Sequence, residues 1–251
     1  MRPSASRRSS PLQPQFRRRR RITIIAHPQF VDHLGPLISL QQSRRNDGCR
    51  RSLTRSMPPT PTTSAGLRRS RTSSPLSRPR VMSCWWVATM STTAAAAVQS
   101  AVSGSVDWVS YIGHSSPNRW GFDNVLTYAQ VNAMGRTGAP AVVAQWGCWN
   151  NYFVDPAQDS MAHALMLGAT VKASAVLGSV SLAEDAEHLS LAIDFHNLVA
   201  IGALDEAPGT VKTIGDALLQ AQLHALGGGG SDSGAARSVV LFGDPAQPVR
   251  N

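Results

Sequence analysis

Cys148 and His114 are the two residues of this 251-residue chain whose types and spacing suit nucleophilic chemistry. A thiol becomes a useful nucleophile when an imidazole accepts its proton or, as imidazolium, stabilises the thiolate. Each residue follows a glycine at the end of an apolar run: VDWVSYIGHSS carries His114 and APAVVAQWGC ends at Cys148. Glycine there permits the sharp turn that exposes the next side chain. In a parallel α/β sheet, reactive groups gather beyond the carboxyl ends of the strands, where loops hold polar side chains near solvent and the sheet fixes their positions. Their separation of 34 residues equals one crossover, so their strands should lie side by side or nearly so. The bland alternative is an inert buried thiol between Trp146 and Trp149.

The elements that must hold this pair alternate along the chain from Val106 onward. Besides the two strands above, KASAVLGSV (172–180) and SVVLFGDP (238–245) read as strands. Helical spacing runs through 127–134, 159–168, 182–202 and 210–226, and GGGGSDSG (227–234) reads as a loop. Such alternation predicts an α/β class with a mostly parallel sheet covered on both faces. Upstream, ITIIAH (22–27) reads as a buried strand, and FVDHLGPLISLQQSRR behind it has helical spacing despite Pro36.

Charge divides the chain. Residues 1–103 hold 18 of the 24 basic residues and only Asp32 and Asp47 as acids, a balance of +16, whereas 104–251 carry −7. Clustered arginines bind phosphates by releasing counterions. Here they sit among Ser, Pro and Thr with almost no interleaved aromatics, so no specific nucleic-acid partner is expected. Cysteines at 49, 84 and 148 form neither a disulfide framework nor zinc-ligand spacing, and no metal site is expected from them. ITIIA is too short for a signal core, and no apolar run reaches the roughly 20 residues of a membrane helix, so neither an export leader nor a membrane span is expected.

Four segments follow: a disordered basic tail (1–21), a first strand and helix (22–47), a low-complexity Arg/Ser/Thr/Pro stretch (48–103), and the chemistry-bearing core (104–251). VMSCWWVATM and TTAAAAV have no sensible period for helix or strand. A shifted reading frame accounts for this stretch as a hypothesis, since alternative codon readings of Val81–Thr92 permit a buried strand ending in glycine. Stop codons in that frame would end the idea.

Other polar residues carry less. His188 and His196, with Glu184, Glu187 and Asp194, share a helical stretch without HExxH spacing and read as a solvated face. Asp155 and Asp159 follow the Cys148 strand and could bind calcium or substrate, although helix capping explains Asp159 more simply. Trp120, Trp146 and Trp149 either wall a cleft or pack in the core.

YIGHSSPNRW, VVAQWGCWNNYFVDP, ASAVLGS, IGDALLQAQ and VVLFGDPAQPVR occur in that order across nearly all of 106–250, and together they resemble the catalytic region of gingipain-type cysteine peptidases. The resemblance implies an incomplete caspase-like three-layer sandwich and endopeptidase activity on a protein or peptide substrate. Cys148 would attack the scissile carbonyl, His114 would shuttle the proton, and the backbone amides of Cys148 and Ser115 would hold the oxyanion. No cofactor is implied beyond calcium by analogy, and the relatives are exported. This chain departs from the family in having Ser115 where glycine is usual. The family's histidine-orienting acid lies in the region corresponding to 49–103, which leaves Asp107 as the nearest acidic candidate upstream. Two rivals from other classes remain: an inactive fragment of such a domain, and a binding module whose function is the arginine-rich tail.

Overall fold

The computed structural model describes residues 22–35, 92–202, 211–227 and 233–249. The expected basic tail, the continuation of the first helix beyond Gly35, and residues 48–91 of the low-complexity stretch lie outside the described residues.

Five strands form the central sheet: β1 (Ile22–Ala26), β2 (Trp108–Ile112), β6 (Ala141–Trp146), β7 (Ala173–Ser179) and β8 (Val239–Gly243), hydrogen-bonded in the order β1-β2-β6-β7-β8. The first four are mutually parallel and β8 closes the edge antiparallel to β7. Strands β2 and β6 are buried along their whole length. That is why their sequences read as continuous apolar runs rather than alternating ones, since helices cover both faces of a parallel sheet.

The two faces separate by the period of two that a strand imposes. Ile24, Trp108, Ile112, Val142, Ala144, Trp146 and Leu177 face one way, onto Leu191 and Phe195 of α5 (Asp185–Gly202) and Ile214, Ala217 and Leu218 of α6 (Ile214–Gly227). Ile25, Val109, Tyr111, Val143 and Val176 face the other, onto Val98 and Val102 of α2 (Thr92–Ser103), Val131 of α3 (Tyr128–Ala133), and Met161 and Leu165 of α4 (Met161–Leu167). Helix, sheet and helix thus make the three layers of the fold.

Each strand expected from 106 onward is present, and so are the four helices. The exception is α2, where no period was expected. Alanine is the strongest helix former, and Val98 and Val102, four residues apart, supply the one buried contact face that the helix needs. The glycine-rich loop is shorter than expected at its end, because Ser233 caps the short helix α7 (Gly234–Ser238) by accepting from Ala236 N. A short helix α1 (Pro28–Val31) and a 3-10 turn (Asp32–Leu34) follow β1. Among the described residues no helix is long and apolar enough to cross a membrane.

Candidate active site

Strands β2 and β6 are paired so that Ile112 stands opposite Trp146. His114 and Cys148 each lie two residues beyond that pair, past the carboxyl ends of neighbouring strands about 4.8 Å apart. The two turns interlock. Gly113 N donates to Trp146 O at 3.1 Å, and Ser115 Oγ lies 2.8 Å from Cys148 O and 2.9 Å from Asn150 Oδ1, its single proton serving the two acceptors. A β-carbon on Gly147 would overlap both the Gly113 carbonyl oxygen and Ser115 Oγ. The glycine before Cys148 is therefore required by close backbone approach. Neither Gly113 nor Gly147 uses positive φ, whereas Trp149, just after the cysteine, does (φ 58°).

The His114 backbone is held from a third side. Its carbonyl accepts from Tyr111 Oη at 2.6 Å and from Gly121 N at 2.8 Å. Burial pushes the Tyr111 phenol well above its usual range, so it stays a donor. Gly121 follows the middle strand of a small antiparallel sheet of β3 (Ser115–Ser116), β4 (Arg119–Trp120) and β5 (Leu126–Thr127), which begins at the residue after the histidine.

The imidazole itself is half-buried, and side chains from three places surround it. Asp185 Oδ1, from the first residue of α5, is 3.5 Å from Nδ1. Gln29 Oε1, from α1, is 3.3 Å from Nε2, while Gln29 Nε2 donates to Asp185 Oδ2 at 3.0 Å. The exposed ring of Phe122 stacks on His114 at 5.1 Å, and His27 meets it edge-on at 5.4 Å. Burial lowers the pKa of His27, the neighbouring His114 lowers it further, and Asp185 and Asp123 pull the other way. Cys148 Sγ is partly accessible and donates to Ala183 O at 3.7 Å, and among the described residues no hydrogen bond joins it to His114.

Each of the four parallel strands thus delivers one polar residue past its carboxyl end: Gln29 after β1, His114 after β2, Cys148 after β6 and Asp185 after β7. Sequence reasoning found the two on the central strands. The same strand-end rule, applied to β1 and β7, was the signal for the other two, although nothing in the sequence said that their side chains meet.

The remaining candidates are distributed as follows. Asp107 precedes β2 while His114 follows it, so the whole five-residue strand, at roughly 3.3 Å per residue, lies between them, and the carboxylate in contact with His114 is Asp185. Trp120 and Trp146 are core residues. Trp120 stacks on Tyr111 at 4.7 Å and donates to Gln145 Oε1 at 2.6 Å, and Trp146 donates to Ser110 Oγ at 3.1 Å. Trp149 alone of the three is exposed. Helix α4 is capped by Ser160 rather than Asp159, whose carboxylate accepts from Tyr128 Oη at 2.8 Å. Asp155 Oδ1 accepts from Ala157 N at 2.9 Å. His188 and His196 are buried against the sheet, not on a solvated face, because both lie on the α5 stripe that carries Ala192 and Phe195 into the core.

The family model for peptidase family C25 matches residues 77–250, well over half of the sequence. The chain belongs to peptidase family C25. Among solved structures it is similar to the Arg-specific cysteine proteinase gingipain R (RgpB), with a TM-score of 0.67 and 14% identity over 92% of this chain and 47% of that one. It is also similar to the complex of the pro- and mature domains of RgpB from Porphyromonas gingivalis, with a TM-score of 0.61 and 12% identity over 90% of this chain and 47% of that one. A third structure, described as a protease, gives a TM-score of 0.55 and 14% identity over 66% of this chain and 40% of that one. At these identities the likeness is one of fold, and the C25 chain spans about half the length of the gingipain chains it matches. No curated protein sequence matches it.

Proposed function

We propose that this C25 chain is a cysteine-type endopeptidase acting on protein or peptide substrates through Cys148 and His114. The observation that supports the reading is the register of β2 and β6, in which Ile112 stands opposite Trp146 two residues before His114 and Cys148, with Ser115 stitching the two turns together. Cys148 Sγ attacks the scissile carbonyl carbon, and the thiol proton passes to His114. His114 then gives that proton to the leaving amine as the C–N bond breaks, and a thioester remains on Cys148. Water, deprotonated by His114, hydrolyses the thioester and restores the thiol. The amides of Ser115 and Cys148 are the donors assigned to the oxyanion.

Hydrolysis of a denatured protein substrate by the purified full chain tests this reading. Activity should fall to background in both Cys148→Ser and His114→Ala. Equal activity in either variant would refute it.

One observation favours a second reading, a latent or inactive fragment. The thiol donates to the Ala183 carbonyl and both nitrogens of His114 face other groups, so the pair is not engaged as it stands. Covalent labelling separates the two readings: a peptidyl acyloxymethyl ketone should modify Cys148 in an active chain and leave a latent one unmodified.

A further inference from the structure

We infer that Phe122 forms a subsite for the substrate residue that follows the scissile bond, and that this subsite selects large apolar and aromatic side chains over small and acidic ones. This rests on the reading of Cys148 and His114 as the reacting pair and names the substrate class that its leaving-group side takes.

The chemistry fixes which part of a substrate comes to His114. The imidazole hands its proton to the leaving amine, so that nitrogen must come within hydrogen-bond reach of the ring, roughly 2.6–3.2 Å. The same nitrogen carries the α-carbon and side chain of the residue after the cut, which therefore lie against whatever borders the imidazole. Three rings border it. Those of His27 and Phe30 are inclined to it by 66° and 61°, with centroids at 5.4 and 6.1 Å, and Phe30 is buried. Phe122 stacks on it at 28° and 5.1 Å and is 69% exposed. Phe122 is thus the apolar surface beside the proton-transfer group that a substrate side chain can reach.

A lone exposed ring is ordinary on a protein surface. What distinguishes Phe122 is a backbone tether to the histidine it covers. It is the second residue of a tight turn in which Asn124 N donates to Gly121 O at 3.2 Å, while Gly121 N donates to the carbonyl of His114 itself at 2.8 Å. Gly121 and Asn124 both take positive φ, 71° and 55°, as glycine and asparagine do in turns, and Arg119 donates to the Asn124 side chain at 3.3 Å. The ring is therefore presented in place, and little ordering is left to oppose binding. Covering its exposed surface favours a large apolar or aromatic partner. Asp123, exposed beside it, acts electrostatically on His27 and repels an acidic side chain in the same position.

Cleavage-site profiling of the full chain tests this. A peptide library made from a digested proteome is incubated with the protein, and mass spectrometry reads the residue on each side of every new cut. After the cut, Phe, Tyr, Trp, Leu and Met should be enriched about threefold to tenfold over their frequency in the library, and Asp and Glu should be depleted. The enrichment is smaller than the roughly 10- to 200-fold discrimination of an enclosed apolar pocket, because Phe122 offers one open wall. Phe122→Ala should flatten this profile and leave that of the residue before the cut as it was, whereas Phe122→Tyr should retain both.

A second measurement needs no turnover. Phenylalanyl-alanine amide presents a free amine and an aromatic side chain as the leaving product does. Titrated into the full chain, it should shift the His114 ring signals in proton NMR spectra, assigned by comparison with His114→Gln. Glycyl-alanine amide should shift them several-fold less, and Phe122→Ala should abolish the difference. If the chain cleaves, the profile decides: a flat distribution after the cut, or one unchanged in Phe122→Ala, overturns the subsite and keeps the peptidase reading. If it cleaves nothing, the amides decide: a Phe122-dependent difference keeps the subsite while the peptidase reading falls, and equal shifts overturn the subsite as well.

Discussion

Gly147 packs against Ser115 so closely that any β-carbon would overlap the serine hydroxyl and the Gly113 carbonyl oxygen as well. The loop that presents Cys148 is thereby locked to the loop that presents His114, and the lock is the absence of a side chain.

Gly147→Ala should therefore cost on the order of 1–3 kcal/mol, the usual range for forcing an extra carbon into packed structure. The obstacle includes backbone, which cannot rotate away. Urea denaturation should show the loss as a lower midpoint with an unchanged slope. Alkylation of Cys148 should slow in the same variant under native conditions, because the displaced turn carries the thiol.

The three tryptophans near the site should part company under substitution. Trp120→Phe leaves Gln145 Oε1 buried without its donor and should destabilise by about 1–3 kcal/mol. Trp149→Ala, at an exposed ring beside Cys148, should change the denaturation midpoint little and instead raise KM for peptide substrates. Equal stability losses in the two variants would contradict the assignment of Trp120 to the core and Trp149 to the surface.

How much of this was legible beforehand depends on the residue. Ser110, Tyr111, Gln145 and Trp146 sit in strands betrayed by their apolar neighbours, so β2 and β6 and the residues just past them could be read from the chain. The surroundings of His114 were only half readable, because contacts such as Gln29 with Asp185 join residues 156 apart in sequence and leave no local pattern. Asp107 was attractive for its nearness to His114 along the chain, yet an extended strand turns nearness in sequence into distance in space. Trp120 and Trp149 differ in burial for reasons of β-sheet register and loop geometry that composition does not record. The helix at Thr92–Ser103 was hidden by its own uniformity, since alanine gives propensity without period.

His188 and His196 should make stability depend on pH. Burial holds both rings neutral and pushes the pKa of each down to about 4, from an ordinary 6.5. Asp185 and Glu187 partly oppose this at His188, and the Ala192 carbonyl does so at His196. As pH falls, the unfolded chain takes up these protons first. The stabilisation is therefore complete above about pH 6.5, declines between 6.5 and 4, and is flat below 4, with each ring contributing up to about 3 kcal/mol. Urea midpoints measured at pH 7.5, 5.5 and 4.5 should fall in that order. His196→Leu should roughly halve the slope, and a midpoint independent of pH across this window would contradict the burial of the two rings.

The most direct test of the pairing is the rate at which iodoacetamide alkylates Cys148 across pH 5–9 in the wild-type chain and in His114→Ala. The account predicts rapid labelling of Cys148 near neutrality in the wild type, about tenfold or more faster than in the variant, where the rate should simply rise toward that of an ordinary thiol with a pKa near 8.5. Identical rate–pH curves for the two proteins, with Cys148 labelled no faster than Cys49 and Cys84, would contradict it.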